Sequence, residues 1–111
     1  MEHINRIELQ GRIGTVRHNT VNDTNVVNFS VVTDLLYKGK DGVPVSETTW
    51  HQVTAWEGRE TQDCRKLEKG TAVNVIGRMR TVKYTNSEGV EKTLHEVLAS
   101  RLRIIREDQE S

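Results

Sequence analysis

The 111 residues leave room for one domain with one core, and a hydrophobic content of 34% with 5% aromatics limits that core to a small barrel or sandwich, or to a protomer stabilised by copies of itself. Lys+Arg and Asp+Glu both number 16, so the formal net charge is zero and any affinity for a polyanion has to come from local distribution. The apolar stretches are too short for a membrane-spanning helix or a secretory leader, and a single cysteine, Cys64, excludes an intrachain disulfide framework, so a reducing, cytoplasmic setting is expected.

Period-2 alternation runs through most of the chain. Ile7, Leu9 and Ile13 share odd parity against Arg6, Glu8, Gln10 and Arg12, which reads as a half-buried first strand. Gly11 and Gly14 interrupt it, as where a barrel strand bends or bulges. Arg17-His18 is placed in a loop, and Asn19 to Asn25 reads as a polar turn. A second strand follows, with Val27, Phe29, Val31 and Thr33 on one face. Pro44 beside Gly39 and Gly42 makes the segment from Lys38 to Val45 a hairpin tip. The third strand, from about Glu47 to Trp56, has Val53 and Ala55 on its apolar side. Between Arg59 and Leu67 the pattern predicts a short polar helix, with Cys64 and Leu67 its apolar pair and Gly70 its stop. A fourth strand begins near Ala72, with Val73, Val75 and Met79 inward and Gly77 as a further bend point. Asn86-Ser87-Glu88-Gly89 supplies turn chemistry. The fifth strand, from about Lys92 to Ile105, places Leu94, Leu98, Leu102 and Ile104 on one face. Three strands, one short helix and two strands is the order of an all-β, five-stranded OB-fold barrel, whose helix lies between strands three and four. A generic small β-barrel fits the same pattern.

Where the few aromatics fall is more informative. Trp50, Gln52, Thr54 and Trp56 share even parity, opposite Val53 and Ala55, so an inward Val53 and Ala55 put both tryptophans outside. Arg78, Arg80 and Tyr84 likewise lie opposite Val73, Val75 and Met79, with Lys83 adjacent and no acid between Arg78 and Tyr84. Tyr37, Lys38 and Lys40 cluster at the first long hairpin. Counting alone gives Tyr37 the parity of Phe29, so its exposure calls for a bulge or twist after Thr33. Phe29 alone reads as core. Exposed tryptophans favour association. Beside cations they suit single-stranded nucleic acid, whose bases stack on rings while Arg and Lys track phosphates. Burial of Trp50 and Trp56 in a protein–protein interface is the competing explanation.

At these residues the chain resembles the bacterial single-stranded DNA-binding protein family over about Ile4 to Ile105. Asn5-Arg6-Ile7-Glu8-Leu9-Gln10-Gly11-Arg12-Ile13-Gly14 is similar to the family's opening strand, and Val27 to Thr33 to its second. Thr49-Trp50-His51-Gln52-Val53 resembles its Glu-Trp-His-Arg-Val stretch. Lys69-Gly70 and Gly77-Arg78-Met79-Arg80-Thr81-Val82-Lys83-Tyr84 resemble Lys-Gly and Gly-Arg-Leu-Arg-Thr-Arg-Lys-Trp, and His95-Glu96-Val97 sits where the family has Thr-Glu-Val. The resemblance implies a non-enzymatic homotetramer that binds and protects single-stranded DNA in replication, recombination and repair. It implies base stacking on Tyr37, Trp50, Trp56 and Tyr84, and places His51 among the residues that hold the oligomer together. Phosphate contacts are expected from Lys38, Lys40, Arg78, Arg80 and Lys83, with Lys92 and Arg6 as secondary candidates.

The barrel is expected to span 1–106, with 107–111 a short acidic end. The family's long Gly/Pro/Gln-rich tail with an acidic, hydrophobic tip is missing after Arg106-Glu107-Asp108-Gln109-Glu110-Ser111, as in a truncated chain or a short variant such as one from a mobile element. His3, His18, His51, His95 and Cys64 have no metal-ligand spacing, and no nucleophile elbow or phosphate-binding loop motif occurs, so neither a metal, a cofactor nor an enzymatic activity is expected. Two further alternatives remain at this point: a dimeric OB-fold interaction module of the primosomal type, and RNA in place of DNA, since stacking does not read the sugar.

Overall fold

The computed structural model describes residues 1–106; the expected acidic end lies outside the described residues. Five strands carry the fold: β1 (Ile7–Val21), β2 (Thr24–Lys38), β3 (Pro44–Trp56), β4 (Ala72–Thr85) and β5 (Glu91–Ile104). They close into a barrel in the order β1-β2-β3-β5-β4, antiparallel except where β3 meets β5. This is the OB-fold order, with one short helix, Arg59–Lys66, between β3 and β4.

The turns explain why strands run further than the alternation suggests. Asn22 and Asp23 take φ of 49° and 66°, the backbone of a two-residue hairpin turn that short polar side chains tolerate. β1 therefore continues through Arg17 and His18, which are strand and not loop, and His18 Nε2 lies 3.0 Å from the Leu67 carbonyl oxygen. Gly42, at φ 80°, turns the chain between β2 and β3, and Pro44 opens β3 opposite Lys38. Asn86 accepts from the Glu88 and Val90 amides and fixes the β4–β5 turn.

The interior is small and mostly β-branched. Phe29, Val27, Val31, Val53, Val73, Val75, Val97 and Leu102 are fully buried, with Leu9, Ile13 and Ala55 beside them. Cys64 and Leu67 join this core from the helix side as expected. The helix itself is 3₁₀ and is broken at Thr61 (φ −127°, ψ 29°), and Gly58 gives it no side-chain cap. Tertiary bonds hold it: Arg103 donates to the Glu60 backbone and carboxylate, and the Ile104 amide donates to Asp63.

Two bulges decide which side chains face the core. In β1 the register shifts between Ile13 and Val16, at Gly14, and the Thr15 amide donates to Ser30 Oγ there. In β5, Ile76 pairs with Arg101 but Gly77 with Ala99, so Ser100 is extra and parity reverses across it. Leu94 and Leu98 therefore do not share the face of Leu102. Val97 fills the core instead, while Leu94 is exposed and Leu98 half-buried. Met79, expected inward, is 42% exposed although its β5 partner Val97 is buried, because β1 pairs with β4 only as far as Gly77.

Candidate nucleic-acid interface

The outer face of β3 carries Trp50, Gln52, Thr54 and Trp56, with Val53 and Ala55 buried behind them. Trp50 is 56% exposed and Trp56 40%. Trp50 has a defined seat: a Cβ added to Gly14 would stand 2.3 Å from indole Cζ3, 2.9 Å from Cε3 and 2.9 Å from Ser30 Oγ. One edge of the ring thus occupies space that any residue but glycine would fill. Ser30 beneath it is fully buried, with its hydroxyl tied to Thr15. Trp56 lies opposite the buried Val26, and just beyond it Asn25 and Glu57 lock the strand end. Glu57 accepts from Arg65 (2.6 Å) and Asn25, which hold its carboxyl below the ordinary value.

Arg78, Arg80 and Tyr84 share the outer face of β4, as the alternation implies, and Lys92 stands opposite the exposed Tyr84. Arg80 is already engaged. Its Nε and a terminal nitrogen donate to Glu96 Oε1 at 2.9 and 2.6 Å, and Thr54 Oγ1 lies 2.9 Å from Glu96 Oε2 and 2.9 Å from Asn28 Oδ1. This row crosses β2, β3, β5 and β4 and joins the tryptophan strand to the basic one. Glu96 is nearly buried, so any phosphate at Arg80 shares its cation with a carboxylate. Arg78, Lys38, Lys40 and Lys83 form no ion pair among the described residues and are exposed. Lys83 projects from the opposite face of β4 to Tyr84.

Tyr37 is 44% exposed without any register shift along the β2–β3 ladder. The hairpin simply extends beyond the barrel, so the inward parity has no interior to face. Lys38 stands on the tryptophan face of this ribbon and Tyr37 on the other, with Leu35 and Val45. Leu35, Leu36, Val43 and Val45 are exposed around it, an apolar hairpin that the aromatic count does not reveal. His51 is half-buried and hydrogen-bonded to Thr33 Oγ1 at 2.8 Å. The role of Glu96 and the extra residue Ser100 are the site-shaping features that the alternation does not reveal, whereas Gly14 and Gly77, expected as bend points, both mark register shifts. Elsewhere, burial pushes the Cys64 thiol above its ordinary value, and no group of three His, Cys, Asp or Glu could hold a metal ion among the described residues.

Residues 4–105 match the profile of the single-strand binding protein family. Over 105 residues the chain is 30% identical to the single-stranded DNA-binding protein of Neisseria meningitidis, covering 92% of this chain and 60% of that one. It is 28% identical to single-stranded DNA-binding protein 1 of Xylella fastidiosa, covering 100% of this chain and 84% of the relative. Among solved structures, a Plasmodium falciparum SSB in complex with ssDNA superposes with a TM-score of 0.82 at 24% identity, covering 96% of this chain and 98% of that one. A Thermus aquaticus single-stranded DNA binding protein gives 0.77 at 18% identity over 94% of this chain and 51% of that one. The chain spans about three fifths of the Neisseria relative's length. With a barrel of OB topology and a profile match across nearly its whole length, the chain belongs to the single-strand binding protein family.

Proposed function

We propose that the chain binds single-stranded DNA without regard to base sequence and protects it during replication, recombination and repair, as a binding module and not as an enzyme. The observation that carries this reading is the exposure of four of its five aromatic rings, Tyr37, Trp50, Trp56 and Tyr84, on strands and hairpins that also bear Lys38, Lys40, Arg78, Lys83 and Lys92. An idle apolar ring on a solvent face is a liability. A ring on which a base stacks contributes about 1–3 kcal/mol and accepts any base. Arg80 enters this reading chiefly as the partner that holds Glu96 and Thr54 beneath the strand, with a shared phosphate contact at most. A homotetramer, with His51 at a protomer contact, and a cytoplasmic setting complete the reading. The names of the Neisseria and Xylella relatives and the DNA-bound Plasmodium structure support it.

Tryptophan fluorescence on titration with oligo-dT tests it, because both tryptophans of the chain belong to the proposed surface. Strong quenching that weakens with salt is expected. The Trp50→Ala, Trp56→Ala double variant should lose about 1–3 kcal/mol per stacked base; affinity equal to that of the unsubstituted protein would refute the stacking assignment.

A further inference from the structure

Between Trp50 and Trp56 the sheet surface dips into a polar bay of about 240 Å³, lined by Thr15, Val16 and Arg17 of β1, Asn28 of β2 and Gln52 of β3. The tryptophans stand six residues apart on one face of β3, about 20 Å by strand rise, with Gln52 and Thr54 between them. The register places the bay there. Arg17 pairs with Asn28 and Asn28 with Thr54, while Gln52 pairs with Ser30, whose hydroxyl receives the Thr15 amide at the β1 bulge.

The floor of the bay is already satisfied. Asn28 is half-buried and bonded to the Thr54 hydroxyl, and the Thr15 and Ser30 hydroxyls are bonded to each other. The walls are not. Arg17 and Gln52 are exposed and have no hydrogen-bond or ion-pair partner among the described residues. They rise from β1 and β3 on either side of β2, two strand spacings or roughly 10 Å across, and no carboxylate lines the gap. A ring face takes a base without reading it; a base is read at its edge, by polar groups beside the ring. A side-chain amide suits either kind of edge, because it both donates and accepts and can turn over. A guanidinium only donates. It therefore sides with the keto oxygen of thymine or guanine against the amino group of cytosine or adenine, which sets a donor against a donor.

We propose that the bay between Trp50 and Trp56 reads the edge of one base, with Arg17 and Gln52 favouring a keto base over an amino base. This inference rests on the single-stranded DNA reading and refines it: every base still stacks, and the bias acts at one nucleotide of those the surface holds. Its test is tryptophan quenching by oligo-dU and oligo-dC of equal length at fixed salt, since these bases differ only in the keto or amino group and the neighbouring ring proton. The protein should bind oligo-dU more tightly by roughly fivefold, the low end for one exposed bidentate contact. Arg17→Met keeps the aliphatic stem and removes the donors, so the ratio of the two affinities should fall toward one. Adding Gln52→Glu to that variant leaves only an acceptor in the bay, and the ratio should reverse in favour of oligo-dC. The ratio is read within each variant, so a general loss of affinity cancels. If Arg17→Met weakens both oligonucleotides equally, the guanidinium serves a phosphate and the edge reading is overturned. Quenching with equal affinities in the unsubstituted protein also overturns it and leaves the DNA reading standing. Absence of quenching by either oligonucleotide sinks the DNA reading and the inference together.

Discussion

Trp50 owes its position to an absent side chain. Its indole edge rests where a Gly14 Cβ would be, at a separation of 2.3 Å that no real contact sustains. Since Trp50 is 56% exposed, the ring can swing away from a methyl group while the barrel stays closed. Gly14→Ala, in a Trp56→Phe background that leaves one emitter, should red-shift free-protein emission and cost about 1–3 kcal/mol of oligo-dT affinity. Unchanged emission and affinity would show that the seat has no part in binding. Cys64 makes the opposite case, a reactive group made inert. Burial raises its thiol above the ordinary value of 9.0, so the folded chain retains the proton to higher pH than the unfolded chain. Its effect on stability is nil below the ordinary thiol value, and stability falls as pH rises from there through the raised folded value. Denaturant midpoints should therefore drop on the alkaline side less steeply in Cys64→Ser, and alkylation of the native thiol should be slow until the barrel opens. Rapid native alkylation would contradict the buried placement.

Among the elements, alternation was legible wherever a strand kept one register. Val27, Phe29 and Val31 in β2, and Val53 with Ala55 in β3, face inward as their parity requires. Legibility failed where an extra residue reversed parity or a strand outran the core. Gly14 announces its bulge because glycine in a strand is costly without a reason, but Ser100 resembles any polar strand residue, and Leu94 and Leu98 were assigned to Val97's place. Tyr37 shows the other cause, parity that points inward where no interior exists, whereas Met79 stands beside the buried Val97 and is open because β1 pairs with β4 only as far as Gly77. The partner of Arg80 was hidden for a third reason: Glu96 lies on another strand, and only the β4–β5 register brings the two together. This pair makes a prediction about the element it spans. Glu96→Gln keeps the shape and removes the charge, so the row from Asn28 to Arg80 loses charge-assisted bonds worth about 1–3 kcal/mol of stability. The same change frees the Arg80 guanidinium, so oligo-dT affinity at low salt should rise while the thermal midpoint falls. A loss of both would mean that the Arg80–Glu96 row positions the surface and that Arg80 gains no phosphate.

At the scale of the whole molecule, neutrality and small size push in the same direction. A chain of zero net charge has no long-range repulsion to keep copies apart, and a valine-rich interior in a domain of this length is a modest core. The β2–β3 hairpin carries Leu35 and Leu36 at 59% and 74% exposure, with Val45 across the ribbon and Val43 in its turn. Such surface is stable in water when it is covered by bases, by another protomer, or by each in turn. If the proposed homotetramer holds, light scattering should report four chains of 12.7 kDa in the absence of DNA. Thermal unfolding should then depend on protein concentration, because dissociation is coupled to unfolding. Leu36→Lys places a charge on the most exposed of these leucines and separates the two uses of the hairpin. A fall in mass assigns it to the protomer contact, whereas intact mass with altered oligo-dT affinity assigns it to the strand path. A mass of two chains would move the protein to the dimeric interaction-module class. A monomer with a concentration-independent midpoint would leave the barrel folded on its core alone and remove His51 from any interface.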